Sequence, residues 1–153
     1  MDRKPTLRIS AKVSNLARIR RYVEQRAATL KIPREVIRDM VQAVDESASN
    51  IILHGYRGEP GTIEVEIRKE GDSLVAYLRD QAPPFDPTSV PPPDLTLPLH
   101  KRPMGGLGVF LVKQLMDSVS HRLLPDGSNE LSLSKRAAQG VDSMGDLDTE
   151  VLR

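Results

Sequence analysis

Residues 62–68, Thr-Ile-Glu-Val-Glu-Ile-Arg, alternate without a break, with Ile63, Val65 and Ile67 on one side and polar or charged residues on the other. Successive side chains of a β-strand point to opposite faces, so this is a half-buried strand with its apolar face inward. Residues 69–72 contain the turn glycine Gly71, and residues 73–80 read as the returning strand of a hairpin. A shorter β-prone segment, residues 6–13, carries Leu7, Ile9 and Val13 on one parity and reads as a first strand. Residues 119–124 and 130–134 suggest a second hairpin, turned by Pro125-Asp126-Gly127-Ser128. The sheet therefore has four or five strands.

Two amphipathic helices precede the first hairpin. In one, Leu16, Ile19, Val23, Ala27 and Leu30 recur every three to four residues, with Ser14 as its N-cap. Its arginines Arg18, Arg20, Arg21 and Arg26 face water, and such a basic face suits either solvent or an acidic protein surface. Pro33 sits in the first turn of the next helix, whose buried stripe is Ile37, Met40, Val41, Val44, Ala48 and Ile51, and Gly55 ends it. Gln42, Glu46, Asn50 and His54 lie four apart on its opposite side and form one polar row.

Residues 81–104 carry eight of the twelve prolines and no clear period. A loop of that length inside one domain is a functional lid or a disordered stretch, and the lid is the reading preferred here. Gly105-Gly106-Leu107-Gly108 then leads as a turn into a third helix, residues 109–118, with Val109, Val112, Leu115 and Met116 at helical spacing. Residues 137–153 mix small and acidic side chains with scattered Val141, Leu147 and Val151, so a domain over residues 1–136 followed by a mobile tail is expected.

Composition narrows the function. The chain has 153 residues, enough for one core. It has no cysteine and only three scattered histidines, which removes disulfides and thiolate or all-histidine zinc sites. A formal charge of +1 and five aromatic residues give little basis for a nucleic-acid groove. No apolar run is long enough for a bilayer and the start has no signal-type segment, so a cytoplasmic protein without membrane contact is expected.

Three features bear chemistry. A carboxylate and a carboxamide four apart, Glu46 and Asn50, can share a site in which one orders a hydroxyl and the other offers an oxygen to Mg²⁺, although most such rows are simply solvated helix faces. Glycines ahead of a helix let backbone N–H groups close on phosphate oxygens, or else make a hinge. They match neither the G-x-x-x-x-G-K-[ST] loop nor the dinucleotide fingerprint. Asp80, at the end of a strand, can accept from an exocyclic amine such as that of adenine, or be a plain turn residue.

Taken in order, Glu46-x-x-x-Asn50, Asp80-x-x-x-x-Phe85-Asp86 and Gly105-Gly106-x-Gly108 resemble the histidine-kinase-like ATPase superfamily with its Bergerat fold. Residues 50–56, Asn-Ile-Ile-Leu-His-Gly-Tyr, the run Pro83-Pro84-Phe85-Asp86-Pro87 and residues 105–117 look like the anti-sigma factor serine/threonine kinases of bacterial partner switching. The resemblance spans residues 7–135. It implies an α+β fold, a two-layer α/β sandwich with a mixed, mostly antiparallel sheet and helices on one face, with ATP between helix and lid. It implies that Asn50 ligates Mg²⁺, that Glu46 is the general base and that Asp80 binds the adenine amine. Gly106 and Gly108 would let the lid turn approach the phosphates, in a nucleotide-facing set that also includes Phe85, Gly105 and Leu107. Ser132 stands where a strand hydroxyl supports the adenine site, and Arg102 would reach the terminal phosphate. The implied partners are a sigma factor, a small anti-anti-sigma antagonist carrying the Ser/Thr phosphoacceptor, and a second copy in a homodimer. A binding module that sequesters a partner with little or no kinase activity is the competing reading. One position departs from the family pattern: Ala82 stands where glycine is usual.

Overall fold

The computed structural model describes residues 5–89, 95–98 and 106–137. Among the described residues five strands, β1 (Thr6–Ser10), β2 (Thr62–Glu70), β3 (Ser73–Asp80), β4 (Ser118–Leu123) and β5 (Asn129–Arg136), form one sheet in the order β1-β2-β3-β5-β4. All four pairings are antiparallel, the limiting case of the mostly antiparallel sheet expected. Helices α1 (Leu16–Thr29), α2 (Arg34–Asn50) and α3 (Gly106–Leu115) cover one face, giving the two-layer α+β sandwich of the Bergerat type. Among the described residues no helix is long and apolar enough to cross a membrane.

The pairing register sorts each strand into two faces. Ile63, Val65 and Ile67 of β2 lie opposite Asp80, Leu78 and Ala76 of β3, and Leu78 and Ala76 lie opposite Leu131 and Leu133 of β5. These apolar positions are buried against Ile19, Val23 and Ala27 of α1 and Met40, Val44 and Ala48 of α2. Burying so many large side chains against one sheet face supplies the main driving force for the fold. Asp80 is a carboxylate on this core face, at its very edge.

Among the described residues no helix covers the other face, which carries a network of charges. Arg79 donates to Glu130 (2.8 Å), Glu64 (3.0 Å) and Glu66 (3.0 Å), while Arg68 donates to Glu66 and Arg122 to Glu130, each at 2.6 Å. Burial pushes the Glu66 and Glu130 carboxyls up, but the arginine hydrogen bonds outweigh it and hold both below the ordinary carboxylate range.

Several boundaries differ from the sequence reading. The first strand stops at Ser10, and Val13–Asn15 form a 3₁₀ turn that feeds α1. Ser14 lies inside that turn, and Asn15, in the N-cap position, uses its side chain to donate to the Ser10 carbonyl (2.8 Å) instead of capping. Lys31 closes α1 at φ +61°, with Ile32 N–H to Ala27 O and Lys31 N–H to Ala28 O. That is a Schellman ending with lysine where glycine is usual. Pro33 occupies the N-cap position just before α2. The four-arginine face is split: Arg18 and Arg21 are exposed, but Arg20 pairs with Asp45 of α2 at 2.8 Å and Arg26 is half-buried. The packed body reaches Ala137, which is buried and donates to the Asp72 carbonyl; the rest of the expected tail, 138–153, lies outside the described residues.

Candidate functional site

α2 does not end at its last α-helical residue. Ile51–Gly55 continue it as a π-helical turn, closed by Tyr56 N–H to Ile51 O at 2.8 Å. Single π turns inside helices recur at functional sites. Tyr56 is buried, and its hydroxyl donates to the Thr62 carbonyl (2.7 Å) and accepts from Gln81 N–H (2.8 Å). One side chain therefore ties the end of the helix to the start of β2 and to the residue after Asp80. Gly61 makes this possible, since a Cβ there would fall 2.2 Å from the Tyr56 ring.

Between the π turn, α3 and the sheet lies a cleft of about 810 Å³, counting its open mouth. Its walls are largely apolar: Ile51, Pro83, Phe85, Val109, Val112, Val119 and Leu131. A few polar groups converge among them, namely Ser47, Asn50, His54, Asp80, His121 and Asn129. An apolar cleft with few polar groups is the form that small-molecule sites take.

Asp80 is 7% exposed. Its Oδ1 accepts from Ala82 N–H (2.9 Å) and from Asn129 Nδ2 (3.0 Å). Burial pushes this carboxyl above its ordinary value, against the pull of those two hydrogen bonds and of His121. Ala82 is itself buried, and a Cβ added at Gly55 would lie 3.3 Å from its methyl, so the extra carbon at this position has room because Gly55 has none.

The start of α3 approaches α2 closely. A Cβ on Gly108 would meet Glu46 Oε1 at 2.9 Å and the Asn50 amide at 3.6 Å and 3.8 Å. Glu46 and Asn50 are thus brought to the first turn of α3, where unpaired backbone N–H groups and the helix dipole favour an anion. Among the described residues no three His, Asp or Glu side chains cluster as a metal site. Where the Pro-rich connection begins, Asp86 is held by Thr88, which donates through N–H and Oγ1, and these bonds lower its carboxyl below the ordinary range. Lys113 of α3 donates to the Thr88 carbonyl at 2.8 Å.

The model of the histidine kinase-like ATPase domain family matches residues 9–135. The chain belongs to that family. Within this ATPase family its homologues include the RsbW anti-sigma factor kinases. The serine-protein kinase RsbW of Bacillus cereus strain Q1 is 30% identical over 117 residues, which cover 74% of this chain and 73% of that protein, and RsbW of strain G9842 is 31% identical over the same length. Two solved structures share the fold. The RsbU and RsbW domains of a Mycobacterium tuberculosis protein match with a TM-score of 0.56 at 16% identity, covering 88% of this chain, which spans only 33% of that one. The SiaB–SiaC complex of Pseudomonas aeruginosa matches with a TM-score of 0.51 at 14% identity, covering 86% of this chain and 88% of that one. A histidine kinase-like ATPase fold carries a general capacity for nucleotide with Mg²⁺, and the RsbW homology a general kinase character.

Of the residues singled out in the sequence, Asn50, Asp80 and Phe85 line one cleft, and Glu46 meets Asn50 at Gly108. Gly106 and Gly108 belong to helix α3 itself, which begins three residues before the expected start. Leu107 is described as helical backbone; Arg102 and Gly105 lie outside the described residues. Ser132 does not join the site. It pairs with Tyr77, three positions from the Asp80–Asn129 pair, and so projects from the opposite, charged face. Asn129 is the β5 side chain that meets Asp80. Sequence reading gave Asn129 and His121 no role and quoted Tyr56 only as part of a family-like segment, because only the register of strands and turns distant in the chain brings them together.

Proposed function

We propose that this protein is an ATP-dependent serine/threonine kinase and anti-sigma factor that phosphorylates a small anti-anti-sigma antagonist in a partner-switching system. The observation that carries this reading is the convergence of Glu46 and Asn50 on Gly108, at the start of α3 and beside a cleft with a buried carboxylate on its wall. Asp80 would accept from the adenine amine, with Ile51, Val109, Val112 and Leu131 packing on the base. Asn50 Oδ1 is the candidate protein ligand for Mg²⁺, which when bound neutralises phosphate oxygens. Glu46 would take the proton from a Ser or Thr hydroxyl of the antagonist as its oxygen bonds to the γ-phosphorus and ADP departs. Transfer of this kind depends mostly on position and charge, which a helix terminus and one base can supply.

The test is phosphoryl transfer from labelled ATP to a separately purified candidate antagonist protein. Glu46→Gln should lower the transfer rate by about a hundredfold or more while ATP and partner binding persist. A Glu46→Gln protein that transfers at the parental rate removes the base assignment. Binding of ATP and partner without transfer by the parent protein would establish the sequestering module instead.

A further inference from the structure

Asn129 is 5% exposed and uses all of its hydrogen-bonding groups. Its Nδ2 donates to Asp80 Oδ1 and to the Ala82 carbonyl, both at 3.0 Å. Its Oδ1 accepts from Phe85 N–H at 3.4 Å and lies 2.8 Å from His121 Nε2. Two acceptors flank one side of this amide, and a backbone donor flanks the other. Turned over, its carbonyl would face a carboxylate and a second carbonyl, so only one orientation satisfies every partner. Asn129 Oδ1 is then an acceptor, which requires His121 to carry a proton on Nε2. The amide is locked between β4 and the residue that opens the Pro-rich connection.

The consequence falls on Asp80. Its Oδ1 is occupied by Asn129 and Ala82, whereas Oδ2 takes no hydrogen bond among the described residues. We propose that Asn129, clamped by His121, is a positioning residue that presents a single Asp80 oxygen to the cleft and thereby makes the site select a nucleobase carrying an exocyclic amine at that point. This rests on the nucleotide reading above. Adenine offers an N–H there. Hypoxanthine offers a carbonyl oxygen, which leaves two acceptors facing each other in a largely apolar cleft. A hydroxyl from Ser132 cannot share this task, because it belongs to the other face of the sheet.

Isothermal titration of the protein with ATP and with inosine triphosphate, both with Mg²⁺, reads the selection directly. The parent protein should prefer ATP. Asn129→Leu keeps the volume but offers Asp80 no donor, and should reduce the ATP-to-inosine-triphosphate affinity ratio about tenfold or more, the worth of one well-placed hydrogen bond to a charged group. Asn129→Thr restores one donor and should recover most of the ratio. His121→Phe frees the amide and should reduce the ratio severalfold in a protein that still folds. A folded Asn129→Leu protein with the parental ratio overturns the role of Asn129 and leaves the nucleotide site standing. If Asn129→Leu does not fold, an unchanged ratio in His121→Phe overturns it equally. A parent protein that binds both nucleotides alike overturns the nucleotide-base reading, and this proposal with it.

Discussion

Burial raises the pKa of Asp80, so keeping it ionised in the folded state costs stability. The contribution of a group shifted this way is fully present below its unfolded pKa and lost as pH rises through the folded value. At neutral pH Asp80 therefore weakens the fold. Asp80→Asn keeps an oxygen for Ala82 N–H and Asn129 while removing the charge. It should melt a few degrees higher than the parent at pH 7, with the difference vanishing as pH falls below the ordinary carboxylate value. The same change turns the cleft-facing atom from acceptor to donor and should abolish the preference for ATP over inosine triphosphate. Thermal melts across pH, paired with nucleotide titration, check both halves. A residue that lowers stability and lines a cleft fits a binding role better than a structural one. Glu46, Asn50 and Asp80 could be singled out in the sequence, the first two by their spacing of four on one helix and Asp80 by its place at a strand end. Asn129 was not, since its partner Asp80 lies 49 residues away in the chain and only strand pairing joins them.

The elements form for local reasons, and two of them carry visible compromises. Lys31 holds the left-handed conformation that ends α1, at φ +61°. A Cβ is strained there, and Lys31→Gly should stabilise the protein by about 1 kcal/mol in denaturant unfolding, less any entropy the glycine adds to the unfolded chain. On the outer face of the sheet Arg79 serves three carboxylates, two of them on buried residues, Glu66 and Glu130. Arg79→Ala strips one partner from each and should cost about 3 kcal/mol at pH 7. Glu66 and Glu130 have lowered pKa values, so their contribution is present above the unfolded pKa and lost as pH falls through the folded values. The penalty of Arg79→Ala should accordingly shrink in acid, as urea titrations at pH 7 and pH 3 would register. Alternation in residues 62–68 and the helical stripes were enough to place β2, β3, α1 and α2. The end of the first strand and the start of α3 were misjudged, because Val13 keeps the apolar parity beyond Ser10 and glycines 106 and 108 read as turn rather than helix. The π turn after Asn50 left no periodic signal at all.

At the scale of the molecule, the sheet, the helices on one of its faces and the cleft between them form one arrangement, with the buried carboxylate of β3 reached by the same cleft as Asn50 of α2. Order and spacing of motifs foretold this, and the family match over residues 9–135 agrees. Two of the cleft's polar side chains, His121 and Asn129, come from β4 and β5, where no local pattern marks them. The central claim is that this cleft takes a nucleotide with Mg²⁺. Calorimetric titration with ATP and with inorganic triphosphate, each with and without Mg²⁺, tests it most directly. The account predicts ATP binding that strengthens with Mg²⁺ and is lost when the adenine is absent. No heat of binding at millimolar ATP in the presence of Mg²⁺ would contradict it.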